Sequence, residues 1–255
     1  MRLALFQTDI LRSSSATHDN LSRLDAMMCD NVKGQEVDLI VLPEMFHCGF
    51  SADSHISAEE DGGEVVEWMR RVAKKYGCTV CGSASVREED KYYNRLYCVD
   101  KEGGESHYDK RHLFSMGSEA EMYTAGERRL VVEIAGVRCL MQICYDLRFP
   151  VFSRYRGDYD AIIYVANWPA SRIDVWNTLL KARAIENQSY VIGVNRTGVD
   201  DNIVYNGNTI VYDSRGAVVA RAEGESPQVV FATLNIESQN AFRRKFPVLE
   251  DRDIK

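Results

Sequence analysis

Gly136-Val-Arg-Cys-Leu-Met-Gln-Ile-Cys-Tyr-Asp-Leu-Arg-Phe-Pro150 is the stretch on which the reading of the fold turns. Val137 to Ile143 is mostly apolar, as expected of a strand covered on both faces, and it stops at Cys144. Asp146, followed by Phe149-Pro150, supplies helix-start chemistry. A cysteine at a strand-to-helix corner is placed for work, because the first turn leaves backbone N–H groups unsatisfied and carries partial positive charge. Such a corner stabilises a thiolate and an oxyanion formed beside it. Asp146 and Arg148 are expected to brace the corner by a charged hydrogen bond rather than to touch a substrate. For one cysteine alone, core packing is the commoner explanation. The case for chemistry at Cys144 rests on the rest of the chain.

Working outward, Ala161 to Ala166 reads as a buried strand halted at Asn167-Trp168-Pro169. A helix over Ile173 to Asn187 follows, and then a strand over Tyr190 to Val194 that ends at Asn195-Arg-Thr-Gly198. Upstream, Arg2 to Gln7 is a strand, Thr17 or Asp19 caps a helix carrying Leu21, Leu24, Met27 and Met28, and Val37 to Leu42 is a strand running into Pro43-Glu44. Met45 to Gly63 has no periodicity and reads as a functional loop. Glu64 to Lys75 is an amphipathic helix, and Thr79 to Val86, Tyr92 to Val99 and Glu105 to Lys110 are strands. Downstream, Thr209 to Tyr212, Ala217 to Ala222 and Gln228 to Leu234 are strands, and 238–255 is a C-terminal helix and charged arm. No repeat or flexible linker interrupts 1–255, so a single domain of layered α/β class is expected.

Composition narrows the partners. A formal net charge of -7 over 255 residues disfavours nucleic acid and anionic membrane, and small molecules fit better. No apolar run is long enough to span a bilayer, and Gln7 and Asp9 break the N-terminal apolar stretch before it could serve as a signal peptide, so a cytoplasmic protein is expected. The seven cysteines, scattered singly, do not resemble a disulfide framework.

Three apolar strands each end in a reactive residue: Glu44, Lys110 and Cys144. If the fold brings these ends together, their roles follow from charge. Glu44 is the base for the thiol and later for water. Lys110 keeps Glu44 ionised, holds Cys144 near its thiolate, and with the Tyr145 N–H supports a negative oxygen. The chemistry is covalent acyl-thioester formation followed by hydrolysis.

At these residues the sequence resembles the nitrilase superfamily of carbon–nitrogen hydrolases, with its Glu, Lys and Cys set. The motifs are Leu42-Pro-Glu-Met-Phe46, Tyr108-Asp-Lys-Arg-His-Leu-Phe114, Ile143 to Pro150, Val165-Ala-Asn-Trp-Pro169 and Ala182-Arg-Ala-Ile-Glu-Asn187. In detail they look most like the YafV-type omega-amidases, which hydrolyse the terminal amide of small dicarboxylic acid monoamides such as 2-oxoglutaramate. The resemblance implies a four-layer αββα sandwich, pairing into homodimers through the helical layer, and no cofactor. It also implies a second active-site glutamate after the Lys motif. Glu119 and Glu121 both lie there, and counting back from Ala125-Gly126 favours Glu119. For an omega-amide substrate, Arg172 is expected to hold the distal carboxylate, with Phe46 and Trp168 as apolar walls.

Rival readings start from other residues. Cys78 and Cys81 invite a metal, but no second Cys or His pair stands at ligand spacing, so no metal is expected. Cys139, at an odd offset from Cys144, is expected to point to the opposite face. A Cys–His hydrolase would use His112 or His47 as base. Within the superfamily, N-carbamoyl amino acid hydrolysis and nitrile hydrolysis use the same catalytic set, and a non-catalytic binding member is a third class.

Overall fold

The computed structural model describes residues 1–255 except 14–15, 51–57 and 254–255. Part of the expected functional loop, 51–57, therefore lies outside the described residues. In chain order the elements are β1 (Arg2–Gln7), α1 (Thr17–Asn31), β2 (Leu39–Val41), β3 (Glu59–Glu60), α2 (Glu64–Tyr76), β4 (Thr79–Glu88), β5 (Lys91–Val99) and β6 (Glu105–Asp109). Then come α3 (Glu119–Met122), β7 (Val131–Ile134), β8 (Val137–Ile143), α4 (Pro150–Ser153), β9 (Ala161–Ala166), α5 (Ile173–Asn187) and β10 (Tyr190–Asn195). The chain closes with β11 (Thr197–Asp200), β12 (Ile203–Asn206), β13 (Ile210–Tyr212), β14 (Val218–Arg221), β15 (Gln228–Thr233) and α6 (Ile236–Lys245).

Two mixed sheets stack face to face, in the orders β15-β1-β2-β4-β5-β6 and β14-β13-β10-β9-β8-β7. The side-chain period of two sorts each strand between two cores. Leu3, Leu5, Leu39 and Val41 meet Met141, Ile143, Ile163 and Val165 between the sheets. Ala4, Phe6, Ile40 and Leu42 point the other way, onto Leu24 and Met28 of α1 and Val65, Met69 and Val72 of α2. On the second sheet, Leu140, Ile162, Tyr164 and Val191 pack under Trp176, Leu180 and Ala184 of α5. The layers are thus α, β, β, α. Both sheet faces being covered explains why the central strands read as continuous apolar runs.

Strand direction places the site. β1, β2 and β4 run parallel, and β6 runs with β4 because two antiparallel pairings through β5 separate them. β8, β9 and β10 are likewise parallel. The ends of β2, β6, β8 and β9 therefore deliver Glu44, Lys110, Cys144 and Asn167 to the carboxyl edges of the sheets, where open α/β sheets bind ligands.

Several boundaries depart from expectation. α1 starts at N-cap Ala16 with no side-chain cap, so neither Thr17 nor Asp19 caps it. Asp19 instead lies in the first turn, where its charge favours the helix dipole. The segment after β10 does not simply end. It turns back as the β11–β12 hairpin, with Asp201 and Asn202 at left-handed φ in the turn. α6 begins two residues before Ser238 and is capped by the Asn235 side chain, which accepts from the Ser238 N–H at 2.9 Å. No helix among the described residues is long and apolar enough to cross a membrane.

Gly193 in β10 sets how closely α5 approaches the sheet, since a Cβ there would lie 2.5 Å from Leu180 Cδ1 and 2.7 Å from Trp176 Cζ2. Both side chains are fully buried. Gly193→Ala is therefore expected to destabilise the protein by about 1–3 kcal/mol through overpacking. Urea unfolding checks this as a lower midpoint at unchanged slope.

Candidate active site

Lys110 is the hub. It follows β6, where its N–H extends the ladder to Asn94 O at 2.9 Å, and its ammonium is almost wholly buried. Nζ donates to Glu44 Oε1 at 2.9 Å and to Glu119 Oε1 and Oε2 at 2.9 and 3.0 Å. Burial alone would push this ammonium toward neutrality, but the Glu119 charge and then the Glu44 charge outweigh it and hold Lys110 well above its ordinary value. Of the two glutamates in the loop after the Lys motif, Glu119 is the one that reaches Lys110. It is fully buried at the start of α3, whereas Glu121 is exposed.

Neither carboxylate depends on lysine alone. Glu44 Oε1 also accepts from Asn94 Nδ2 at 2.8 Å, and its Oε2 accepts from the Asn167 N–H at 2.8 Å. Asn167 Nδ2 in turn donates to the Glu44 carbonyl at 2.7 Å. Glu119 Oε1 accepts from Asn94 Nδ2 at 3.1 Å, and Oε2 from the Phe114 N–H at 2.6 Å. Asn94 thus ties both glutamates to β5, and Asn167 ties Glu44 to the second sheet. Neither residue stands out in the sequence as part of the site. The available signal was a buried asparagine inside or at the end of an apolar strand, where asparagine is otherwise depleted.

Cys144 sits one residue past β8 with φ +42°, and Met45, just after Glu44, has φ +44°. For side chains other than glycine, such conformations cost on the order of 1–3 kcal/mol each and persist only where surrounding contacts over-determine them. At Cys144 those contacts centre on Asp146, which is fully buried. Its Oδ2 accepts from the Ile143 N–H at 2.9 Å and Tyr108 Oη at 2.8 Å, and its Oδ1 accepts from the His112 N–H at 3.0 Å. His112 Nδ1 lies 2.7 Å from the same Oδ1. Asp146 thus braces the corner as expected, but with Tyr108 and His112 as partners. Arg148 turns away and lies over the Trp168 ring at 5.3 Å.

Beyond Cys144 the chain runs as a 3₁₀ turn to Arg148 before α4, which has Pro150 at its first position. With i→i+3 bonding, the first N–H groups of such a turn have no partner within it, and Tyr145 is among them. The thiol itself is pushed well above its ordinary value, by burial first and then by the Glu44 charge, with Lys110 pulling the other way. The push is away from the thiolate that a helix-start corner favours. A thiolate would place a further charge in the same buried space. Moving the thiol proton to Glu44 shifts charge without adding any.

Glu44, Lys110, Cys144, Tyr145, Asn167, Trp168 and Arg172 all line one cavity. Its remaining walls are Phe50, Phe114, Arg148, Pro169, Ile203 and Tyr205. Phe46 is not among them. The left-handed turn at Met45 folds the chain back so that the Phe46 N–H reaches Ser83 O at 3.3 Å, and its ring packs on Trp68 at 5.7 Å on the helical side of the sheet. A Cβ at Gly82 would come within 2.9 Å of that ring. Phe50 takes the wall position instead, and Ile203 and Tyr205 come from the unforeseen hairpin. Trp168 is locked by its N–H to Asn195 Oδ1 at 2.7 Å and by Nε1 to Arg172 O at 2.8 Å.

The rival residues lie elsewhere. The His112 ring stacks on Phe149 at 4.1 Å and does not line the cavity, and His47 is buried beside Phe46. Cys78 packs on the helical side of the first sheet and Cys81 between the sheets, on opposite faces, so the two do not converge on one ion. Cys139 lies in the inter-sheet core.

Known proteins resemble this chain along most of its length. The carbon–nitrogen hydrolase family matches residues 2–244. The omega-amidase YafV of Yersinia enterocolitica is 45% identical over 235 residues, covering 92% of this chain and 90% of that one. The 2-oxoglutaramate amidase of Bacillus subtilis is 35% identical over 224 residues, 86% of each chain. Among solved structures, a CN-hydrolase superfamily protein of Xanthomonas campestris, with an arsenic adduct in its active site, superposes with a TM-score of 0.93 at 39% identity over 99% of this chain and 97% of that one. With the αββα layers and one cavity gathering Glu44, Lys110 and Cys144, these matches establish that the chain belongs to the carbon–nitrogen hydrolase family.

Proposed function

We propose that the protein hydrolyses the terminal amide of small dicarboxylic acid monoamides of the 2-oxoglutaramate type, releasing ammonia through an acyl-thioester on Cys144. The observation that carries this is the Lys110 ammonium shared by Glu44 and Glu119 beside a cysteine in a mostly apolar pocket. The omega-amidase and 2-oxoglutaramate amidase relatives support the substrate class.

In this scheme Glu44 takes the Cys144 proton as sulfur bonds to the amide carbon, so that no free thiolate accumulates. The carbonyl oxygen becomes negative and faces Lys110 Nζ and the Tyr145 N–H. Glu44 returns the proton to nitrogen, the C–N bond breaks, and ammonia leaves a thioester. Glu44 then takes a proton from water, whose oxygen attacks the thioester carbon. The C–S bond breaks, the acid forms and the thiol is restored. Glu119 keeps Lys110 charged throughout, and Asn94 and Asn167 hold the Glu44 oxygens in place.

The far carboxylate of the substrate meets Arg172, whose guanidinium lies over Phe114 at 5.6 Å at the cavity edge and makes no ion pair among the described residues. A planar fork binds a carboxylate through two parallel hydrogen bonds. We further place the protein in the cytoplasm and as a homodimer pairing through the helical layer.

Ammonia release from a panel of amides, nitriles and carbamoyl compounds tests the proposal, with preference for 2-oxoglutaramate and succinamate expected. Cys144→Ala should abolish turnover with the fold retained, and Glu44→Gln should lower kcat by about 10²- to 10⁴-fold, as for loss of a general base. Unchanged activity in either variant would remove the mechanism. Arg172→Ala should raise KM for both monoamides by about one to two decades, through loss of a charged hydrogen bond, with a smaller effect on an uncharged short amide. Equal effects on charged and uncharged amides would take Arg172 out of the carboxylate site. Light scattering should give twice the 29.0 kDa chain mass, and a monomer at micromolar concentration would contradict the dimer.

A further inference from the structure

We propose that Arg148 is a specificity-determining residue that reads the substituent next to the distal carboxylate, accepting a 2-oxo group and repelling a 2-ammonium group. This rests on the monoamide reading of the pocket and names which monoamides it takes.

The first observation is that Arg148 has lost the partner its position suggests. Asp146, two residues before it, receives four contacts from Ile143, Tyr108 and His112, which fill the acceptor sites of its carboxylate. Among the described residues Arg148 makes no hydrogen bond or ion pair, and stacking on Trp168 at 5.3 Å is what holds it. It is half-buried and lines the same cavity as Cys144. A partly desolvated guanidinium with no acceptor is an incomplete site, since five N–H donors are left for a ligand.

The second observation is where the two arginines stand. Trp168 carries Arg148 on its ring face, while its Nε1 fixes the Arg172 backbone carbonyl at 2.8 Å. One indole thus touches the Arg148 guanidinium and the Arg172 backbone at the same cavity wall. A single carboxylate satisfies one guanidinium in bidentate fashion and leaves the other open. A 2-oxo acid presents a third acceptor oxygen beside its carboxylate, and that oxygen supplies the second guanidinium with a partner. Succinamate has no such oxygen.

The third observation concerns charge. A 2-ammonium group is best held by a carboxylate, and the two carboxylates at the Cys144 end are already engaged. The Glu44 oxygens are taken by Lys110, Asn94 and Asn167, and those of Glu119 by Lys110, Asn94 and Phe114. At the Arg148 end the ammonium would face a like charge in a partly desolvated space, where repulsion exceeds its value in water severalfold. The pocket therefore favours 2-oxo amides over the corresponding 2-amino amides.

The test compares kcat/KM for 2-oxoglutaramate, succinamate and L-glutamine in the wild type, Arg148→Met, Arg148→Lys and Arg172→Ala. Methionine keeps an apolar stem over Trp168 and removes the charge and donors. In Arg148→Met, 2-oxoglutaramate should fall roughly 10- to 100-fold, mainly through KM, and succinamate by far less. The ratio between them collapses, and L-glutamine gains on 2-oxoglutaramate. Arg148→Lys should retain discrimination against L-glutamine because the charge remains, which a packing role would not give. Arg172→Ala should lower both monoamides together. Equal losses for the two monoamides in Arg148→Met, or no loss, would overturn the inference, as would an unchanged preference for the oxo over the amino substrate. Should Arg148→Met fail to fold, loss of that preference in Arg148→Lys overturns it instead. Failure of the wild type on both monoamides overturns the substrate reading itself, and appears before any variant is made.

Discussion

A buried ammonium held between two buried carboxylates is the constraint around which this molecule is arranged. Removing an ion from water costs several kcal/mol even after relaxation, so Lys110, Glu44 and Glu119 are tolerable only together and only with their remaining lone pairs filled. That requirement recruits Asn94 from β5, Asn167 from the end of β9 and the Phe114 N–H. It also ties the two sheets together at their carboxyl edges, because Glu44 belongs to one sheet and Asn167 to the other. Burial first, and then the Glu44 charge, push the neighbouring Cys144 thiol above its ordinary value. A base already ordered by three donors is then a better route to a nucleophile than a standing thiolate.

The same edge is built on two corners with left-handed backbone, at Met45 and Cys144. Each turns the chain immediately beyond an apolar strand and is anchored by a buried polar group. Ser83 Oγ accepts from the Met45 N–H at 2.9 Å, and Asp146 gathers the residues around Cys144. Because Asp146 is saturated by Tyr108 and His112, the histidine beside Lys110 serves the scaffold, and the arginine that follows the nucleophile faces the ligand space. One carboxylate thereby separates the two roles. The hairpin of β11 and β12 completes the enclosure with Ile203 and Tyr205. It is held from beneath by the fully buried Arg196, whose Nη2 donates to Ile10 O at 2.6 Å and whose guanidinium lies 4.5 Å from the Tyr205 ring centroid.

Sequence alone determined the layered α/β class and the strand ends that carry Glu44, Lys110 and Cys144, because apolar strands with abrupt polar stops are local signals. The αββα layering and the preference for Glu119 came from motifs in family order, not from periodicity. Only the tertiary structure decided which side chains reach the cavity, since this depends on backbone turns and on competition for partners. Phe46 was lost to the helical core because Met45 reverses the chain there. Phe50, Tyr205 and Arg148 entered because contacts distant in sequence left them facing the same space. Asn94 and Asn167 stayed silent in the chain for the same reason: an amide acquires its role only when two charges from other strands arrive beside it. The upward push on the Cys144 thiol was equally beyond sequence, for a helix-start corner favours the thiolate, and the burial and the Glu44 charge that oppose it exist only once the sheets have closed.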